Sequence, residues 1–91
     1  MIKVTSCRPE AGARLRLEFS DGTSNVYDCA QFLSRPGSMV QPLKEATYFD
    51  RVFLEMGAPT WPNGFDLAPW AIHKELKDAG ALTPANASAA E

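Results

Sequence analysis

The 91-residue sequence contains one histidine and two cysteines, which leaves little of the chemistry that enzymes use. Nucleophilic catalysis needs a serine or cysteine within hydrogen-bond reach of a base, and His73 has no evident partner along the chain. Cys7 and Cys29 are too few for a disulfide framework and form no C-x-x-C pair. We therefore expect two reduced thiols and no catalytic residue.

Metal-ligand spacing is absent as well. Four of the aspartates are scattered through different predicted elements rather than clustered with histidine or cysteine: Asp21, Asp28, Asp50 and Asp66. No glycine-rich loop follows a strand and opens a helix, as a mononucleotide site would require. The sequence thus predicts a protein without metal or cofactor that is not an enzyme.

Basic charge is in short supply. The net charge is −2 and the pI is near 5.3, whereas nucleic-acid binders usually carry a basic surplus. Lys3, Arg8, Arg14 and Arg16 cluster near the start, but four charges on strands usually form a solvated face. Contact with nucleic acid through Lys3, Arg14 and Arg16 is therefore only a second alternative.

Long apolar runs are missing. No segment approaches the roughly 20 residues that span a bilayer, and the first residues lack the hydrophobic region of a signal peptide. We expect a cytoplasmic protein without membrane contact.

What the sequence does contain is enough apolar material for one core. It is 45% apolar and 22% charged, close to globular averages, and its length allows one domain, over residues 1–80. Residues 81–91 are mostly alanine, proline, asparagine and serine and are predicted to form a disordered tail. A domain this small gains stability from a second subunit, so a homodimer is possible.

The first third predicts a three-stranded meander. Apolar residues alternate with polar ones in two segments: Ile2 and Val4, then Leu15, Leu17 and Phe19. A four-residue turn over 9–12 would place Val4 opposite Leu17, Ile2 opposite Phe19, and Cys7 opposite Arg14, outside the core.

The turn around Gly22 predicts the next hairpin, because glycine adopts positive φ without strain. The third strand, about residues 25–29, could turn either Val26 or Tyr27 inward, and the sequence leaves this register open.

The middle of the chain predicts short elements. A helical turn includes Phe32 and Leu33, and a helix of two turns starts at Pro42 and includes residues 43–49. Side chains of two kinds alternate over residues 51–56, and Gly57 then allows a tight reversal of the chain. This pattern indicates a further hairpin, in which residues 51–56 pair with the segment that contains Thr60 and Trp61.

A C-terminal helix is predicted from Pro69 to Asp78, with Gly80 just past its end. Ile72 and Leu76 mark its buried face. Ala68 is a poor N-cap, so Asp66 is expected to face the open amides instead. The fold class is therefore α+β, in two layers: an antiparallel sheet of about five strands with this helix on one face.

Aromatic residues are the most suggestive feature, a rich set for so small a chain that includes Tyr27, Tyr48, Phe49, Phe53, Trp61, Phe65 and Trp70. Most belong in a core, but tryptophans flanking an irregular turn can form an interaction surface. The candidate functional surface comprises Asp28, Trp61, Asn63, Asp66 and Trp70. We expect it to bind another small protein or a second copy of this chain. The alternative is a small-ligand site or minor enzyme at the Trp61–Asp66 turn.

The order of several motifs resembles the bacterial domain-of-unknown-function family numbered 2442. The matching segments are L-R-L-E-F-S-D-G over 15–22, Tyr27-Asp28, Pro42-Leu43 with Phe49, and W-P-N-G-F-D-L-A-P over 61–69. The last run is the specific one, and the similarity spans roughly residues 1–76. The chain departs from the family pattern at Ala68, where a serine cap is frequent, and at His73, where tyrosine is common.

The resemblance implies a small antiparallel sheet packed with helix. Such proteins are often encoded beside another small protein of unknown function, and some are fused to a helix-turn-helix domain. The implied role is a partner-binding or regulatory module, with one half of a toxin–antitoxin-like pair as one form of it, and the resemblance implies no activity.

Overall fold

The computed structural model describes residues 1–84. Its elements follow one another in this order: β1 Val4–Glu10, β2 Arg14–Phe19, β3 Thr23–Asp28, α1 Ala30–Leu33, a 3₁₀ helix Gln41–Lys44, α2 Ala46–Phe49, β4 Phe53–Glu55, β5 Ala58–Thr60, α3 Pro69–Asp78 and β6 Thr83–Pro84.

The predicted α+β class is confirmed, with a different division of strands. The main antiparallel sheet has the order β1-β2-β3-β6, and β4 and β5 form a sheet of their own. The β4–β5 hairpin forms as predicted, but its strands do not pair with the strands of the three-stranded meander. It approaches β1 through its turn, where the Val4 amide donates to the Gly57 carbonyl at 2.8 Å, so the contact is a docked turn rather than a ladder.

The predicted register of the first hairpin is wrong. The turn comprises residues 11–13 rather than 9–12, and Gly12 and Ala13 both have positive φ. Val4 therefore lies opposite Phe19, and Cys7 lies opposite Leu17.

An irregularity between Val4 and Ser6 explains how both ends of β1 contribute to the core. One extra residue changes the alternation of side chains, so Val4 and Cys7, three positions apart, point to the same side. Cys7 is half-buried and packs against the core, which corrects the prediction that it lies outside.

The structure decides the register of β3. Tyr27 lies opposite Leu15 and is buried, whereas Val26 lies opposite Arg16 on the other face. The inward residues of the sheet pack with the helices around Trp61. The core consists of Val4, Leu15, Leu17, Phe19, Tyr27, Cys29, Phe32, Leu43, Phe49, Trp61, Ile72 and Leu76.

The helix predicted from Pro42 is split. Glu45 has extended backbone angles, φ −83° and ψ 125°, and separates the 3₁₀ helix from α2. The turn before this region forms α1 and buries Phe32, as predicted.

Helix α3 has the predicted bounds, Pro69–Asp78, and buries Ile72 and Leu76. Gly80 follows with φ +68°, the left-handed geometry expected past a helix end. Asp66 does not cap the helix: among residues 1–84 no side-chain hydrogen bond caps its first turn, and the backbone of Asp66 forms an antiparallel β-bridge with Thr60 instead.

The first residues of the predicted tail pair with the sheet. Thr83 and Pro84 lie opposite Ser24 and Thr23, and the Asn25 side-chain amide donates to the Ala81 carbonyl. After α3 the chain turns back towards β3, and this brings residues 83–84 alongside the strand. The amino-acid composition of the tail does not predict this pairing. The rest of that prediction, residues 85–91, lies outside the described residues. Within residues 1–84, no helix has the length and apolar character needed to cross a membrane.

Candidate functional site

The turn between β4 and β5 has an unusual residue at its tip. Met56 and Gly57 have φ of +52° and +81°, the pattern of a type I′ turn, in which glycine, asparagine and aspartate are preferred. A left-handed backbone costs an ordinary side chain about 1–2 kcal/mol. Met56 is also 93% exposed, so no contact within the described chain offsets this strain.

The turn is held firmly against β1. Besides the bond from the Val4 amide, the Gly57 backbone lies so close to Lys3 that an added Cβ would come within 2.7 Å of the Lys3 Cβ. Gly57 is thus required both by its φ and by this close approach.

Strand β4 carries the neighbouring exposed side chains. Phe53 and Leu54 point to opposite faces of the hairpin, and both are exposed, as is Glu55 between the turn and Leu54. We call Phe53, Leu54 and Met56 the hairpin knob. All three are large apolar side chains that remain at least 37% exposed, and exposed apolar side chains close together are typical of an interaction surface.

The residues predicted to form the functional surface lie outside the hairpin, and one of them is not at the surface. Trp61 is 0% exposed, so the prediction that it lies on the surface is wrong. Its indole nitrogen donates to the Phe49 carbonyl at 2.9 Å, and its ring packs between Phe49 and Phe65. Trp61 is the centre of the core.

Asn63 has a structural role in the same turn. Its side-chain nitrogen donates to the Met39 carbonyl at 2.9 Å, and its oxygen accepts the Phe65 amide at 3.1 Å. Both ends of the side chain are occupied. For the small-ligand alternative at the Trp61–Asp66 turn, Trp61 is therefore buried and Asn63 already makes two internal hydrogen bonds.

The remaining predicted residues are exposed. The Asp28 carboxylate accepts the Ala30 amide at 2.9 Å and so opens α1. Asp66 is exposed beyond the turn, and Trp70, on the first turn of α3, is 63% exposed. Trp70 alone retains the character of an interaction residue.

His73 has a partner that the sequence did not reveal. Its Nε2 lies 2.8 Å from an Asp21 carboxylate oxygen, and its ring meets Phe19 edge-on at 5.0 Å. The hydrogen bond from the Thr23 hydroxyl is the main reason that the pKa of Asp21 is lowered, and the hydrogen bond with His73 lowers it further. Within the described residues no hydroxyl or thiol hydrogen-bonds the imidazole, so the pair ties α3 to the β2–β3 turn.

The cysteines are not activated. Burial raises the pKa of Cys29 to about 12 and that of Cys7 to about 11, so both thiols hold their protons at neutral pH. Since the thiolate is the nucleophile, burial lowers the reactivity of both side chains at neutral pH. No group of three or more metal-ligating side chains occurs in residues 1–84.

The basic residues form a mixed face. Arg8 lies directly opposite Arg16, but Arg14 lies opposite Glu10, and the Arg16 Nε donates to Glu10 at 2.8 Å. Lys3 is away from them, under the hairpin turn. Interleaved acidic side chains weaken the attraction for phosphates on which the nucleic-acid alternative depends.

Two of the surface cavities lie beside helices. The larger, about 500 Å³, lies between the β1–β2 turn and α2 and is lined by residues such as Ala13 and Phe49. The smaller, about 210 Å³, lies between α1 and α3 and is lined by both aromatic and charged residues.

Comparison with known proteins returns one match. A family model described as "Protein of unknown function (DUF2442)" matches residues 4–78. No curated protein and no solved structure matches the chain.

Proposed function

The chain belongs to the DUF2442 family of proteins of unknown function, and we propose that it is a non-catalytic module that binds another small protein through the hairpin knob. The observation that carries this proposal is Met56, a large apolar residue kept in a strained backbone conformation and almost fully exposed. Strain of this kind is found where a residue serves function rather than stability.

The small size of the knob favours a partner of a particular kind. It comprises three side chains, so two copies that met through the knob alone would bury little of the roughly 800 Å² per partner that stable interfaces need. A protein with an apolar pocket can instead enclose Met56 and Phe53. Methionine suits such pockets because its unbranched side chain adapts to irregular surfaces.

The location and the partner that we propose follow from the resemblance to the family. We place the module in the cytoplasm, with a partner protein encoded nearby in the manner of a toxin–antitoxin-like pair. Two protonated thiols and a histidine tied to Asp21 support a role in contact rather than in catalysis.

The proposal is tested by photocrosslinking in the native host. A photoreactive amino acid replaces Phe53 in one variant and Met39, an exposed residue away from the hairpin, in a control. We expect a discrete adduct with a second protein from position 53 and none from position 39.

A second substitution shows whether the adduct depends on the knob. Met56→Asn keeps the turn and should stabilise the fold by about 1 kcal/mol, because asparagine accepts the left-handed conformation. It should nevertheless reduce the adduct from position 53 at least several-fold. Adducts from both positions alike, none from either, or an adduct only between two copies of this chain would each overturn the proposal.

A further inference from the structure

The smaller cavity combines an apolar interior with two opposite charges. It lies between α1 and α3, has a volume of about 210 Å³, and takes apolar walls from Phe32, Phe65 and Ile72. Its polar lining residues are Tyr27, Gln31, Arg35 and Glu75. Ligand sites commonly have this composition, apolar walls with a few orienting polar groups, and this volume is below that of drug-sized sites.

The Glu75 carboxylate is positioned by the protein. The Tyr27 hydroxyl donates to Glu75 Oε2 at 2.7 Å, which joins the last strand of the meander to α3. This bond uses one carboxylate oxygen and leaves the other to accept from a ligand. Tyr27 itself is buried, so its hydroxyl is a fixed donor.

Arg35 supplies the opposite charge. Its backbone amide donates to the Phe32 carbonyl at 3.1 Å, which holds the residue at the end of α1. Among residues 1–84 its guanidinium forms no ion pair, although Glu75 lines the same cavity. A guanidinium presents paired donors that match a carboxylate.

We infer that this cavity binds a small zwitterion with an apolar side chain, a free α-amino acid in chemical class. The ligand carboxylate pairs with Arg35, its ammonium group with Glu75, and its side chain occupies the space against Phe32 and Phe65. A simple carboxylic acid would be attracted by Arg35 but repelled by Glu75. A simple amine would be attracted by Glu75 but repelled by Arg35. Only a molecule that carries both charges satisfies both residues.

The test uses three probes that share one apolar group. They are L-leucine, 4-methylpentanoate, which lacks the ammonium group, and 3-methylbutylamine, which lacks the carboxylate. Each is titrated to about 50 mM into the isotope-labelled full chain, a range that reveals even the weak millimolar binding expected of an open site. The backbone amides of Ala71 and Ile72, which line the cavity, are followed by NMR.

We expect saturable shifts with leucine and much weaker ones with the other two probes. Arg35→Gln and Glu75→Gln should each weaken leucine binding about tenfold or more, since each removes one charge-assisted contact. Glu75→Gln keeps an oxygen that accepts from Tyr27, so it tests the charge without removing the internal bond. Arg8→Gln changes an exposed arginine on the sheet and should leave binding unchanged.

Three results would overturn the inference: no saturable shift with leucine, equal binding of the acid or the amine, or equal effects of Arg35→Gln and Arg8→Gln. The amide spectrum of each variant reports its folding independently. The outcome does not depend on the hairpin knob, which lies on other elements.

Discussion

At the scale of single residues, the two tryptophans show how one residue type takes opposite roles. Trp61 is enclosed by Phe49 and Phe65 and donates its indole hydrogen to a backbone carbonyl, so its polar atom is satisfied inside the core. Trp70 stands on the first turn of α3 with most of its ring in water. Only Trp70 is therefore available for contact.

This difference predicts two distinct fluorescence signals. The Trp70→Phe variant, which retains Trp61, should emit at shorter wavelength and resist quenching by acrylamide. Trp61→Phe, which retains Trp70, should emit at longer wavelength and be quenched readily. Steady-state quenching of the two variants in native buffer is the measurement, and similar quenching constants would contradict the buried placement of Trp61.

At the scale of elements, the β4–β5 hairpin depends on its glycine more than other turns do. Gly57 combines positive φ with close approach to Lys3, whereas Gly22, with φ +84°, has no atom within 4 Å of an added Cβ. The two positions share the backbone requirement and differ in the space around them. They form a natural pair for separating strain from steric contact.

We expect Gly57→Ala to destabilise the protein more than Gly22→Ala. Each substitution bears the left-handed penalty of about 1 kcal/mol or more. Gly57→Ala adds about 1–3 kcal/mol, because the new methyl group meets the Lys3 Cβ and the turn must shift. Urea unfolding of both variants gives the comparison. Equal losses would mean that the turn is not docked against Lys3.

Helix α3 is attached to the sheet by polar contacts at two points. His73 meets Asp21 beside the β2–β3 turn, and Glu75 accepts from Tyr27 in β3. These contacts join residues 52 and 48 positions apart in the sequence. They orient the helix over the sheet while Ile72 and Leu76 supply the apolar burial.

At the scale of the whole molecule, the buried thiols couple stability to alkaline pH. The pKa of Cys29 rises from its ordinary value of 9.0 to about 12 on folding, because burial penalises the thiolate. Between these values the folded state binds more protons than the unfolded chain. Stability is therefore fully present below about pH 9 and falls as pH rises, by about 1.4 kcal/mol per unit for this thiol.

The Cys29→Ala variant isolates this contribution. The stability difference between the natural chain and the variant should shrink by about 2 kcal/mol between roughly pH 8 and pH 10.5. Urea unfolding at a series of pH values measures it, and lysine and tyrosine titration cancels in the difference. A difference that stays constant over this range would show that Cys29 is accessible to solvent in the folded protein.

Much of the local structure follows from residues close together in the sequence. Pro69, Gly80 and the spacing of Ile72 and Leu76 predict α3 with its observed bounds, because caps and periodicity act within one or two turns. Gly22 and Gly57 likewise predict their hairpins. The candidate site was less predictable, since exposure of Met56 and burial of Trp61 depend on how distant elements pack.

The sequence by itself determined the α+β class, the positions of the β2–β3 and β4–β5 hairpins and the C-terminal helix. It also determined the scarcity of reactive side chains, since composition does not change on folding. The tertiary structure alone decided the register of β1, the inward side of β3, the separation of the β4–β5 sheet and the pairing of His73 with Asp21. A single extra residue in β1 or a contact across 52 positions leaves no local signal, because its energy comes from packing between distant segments.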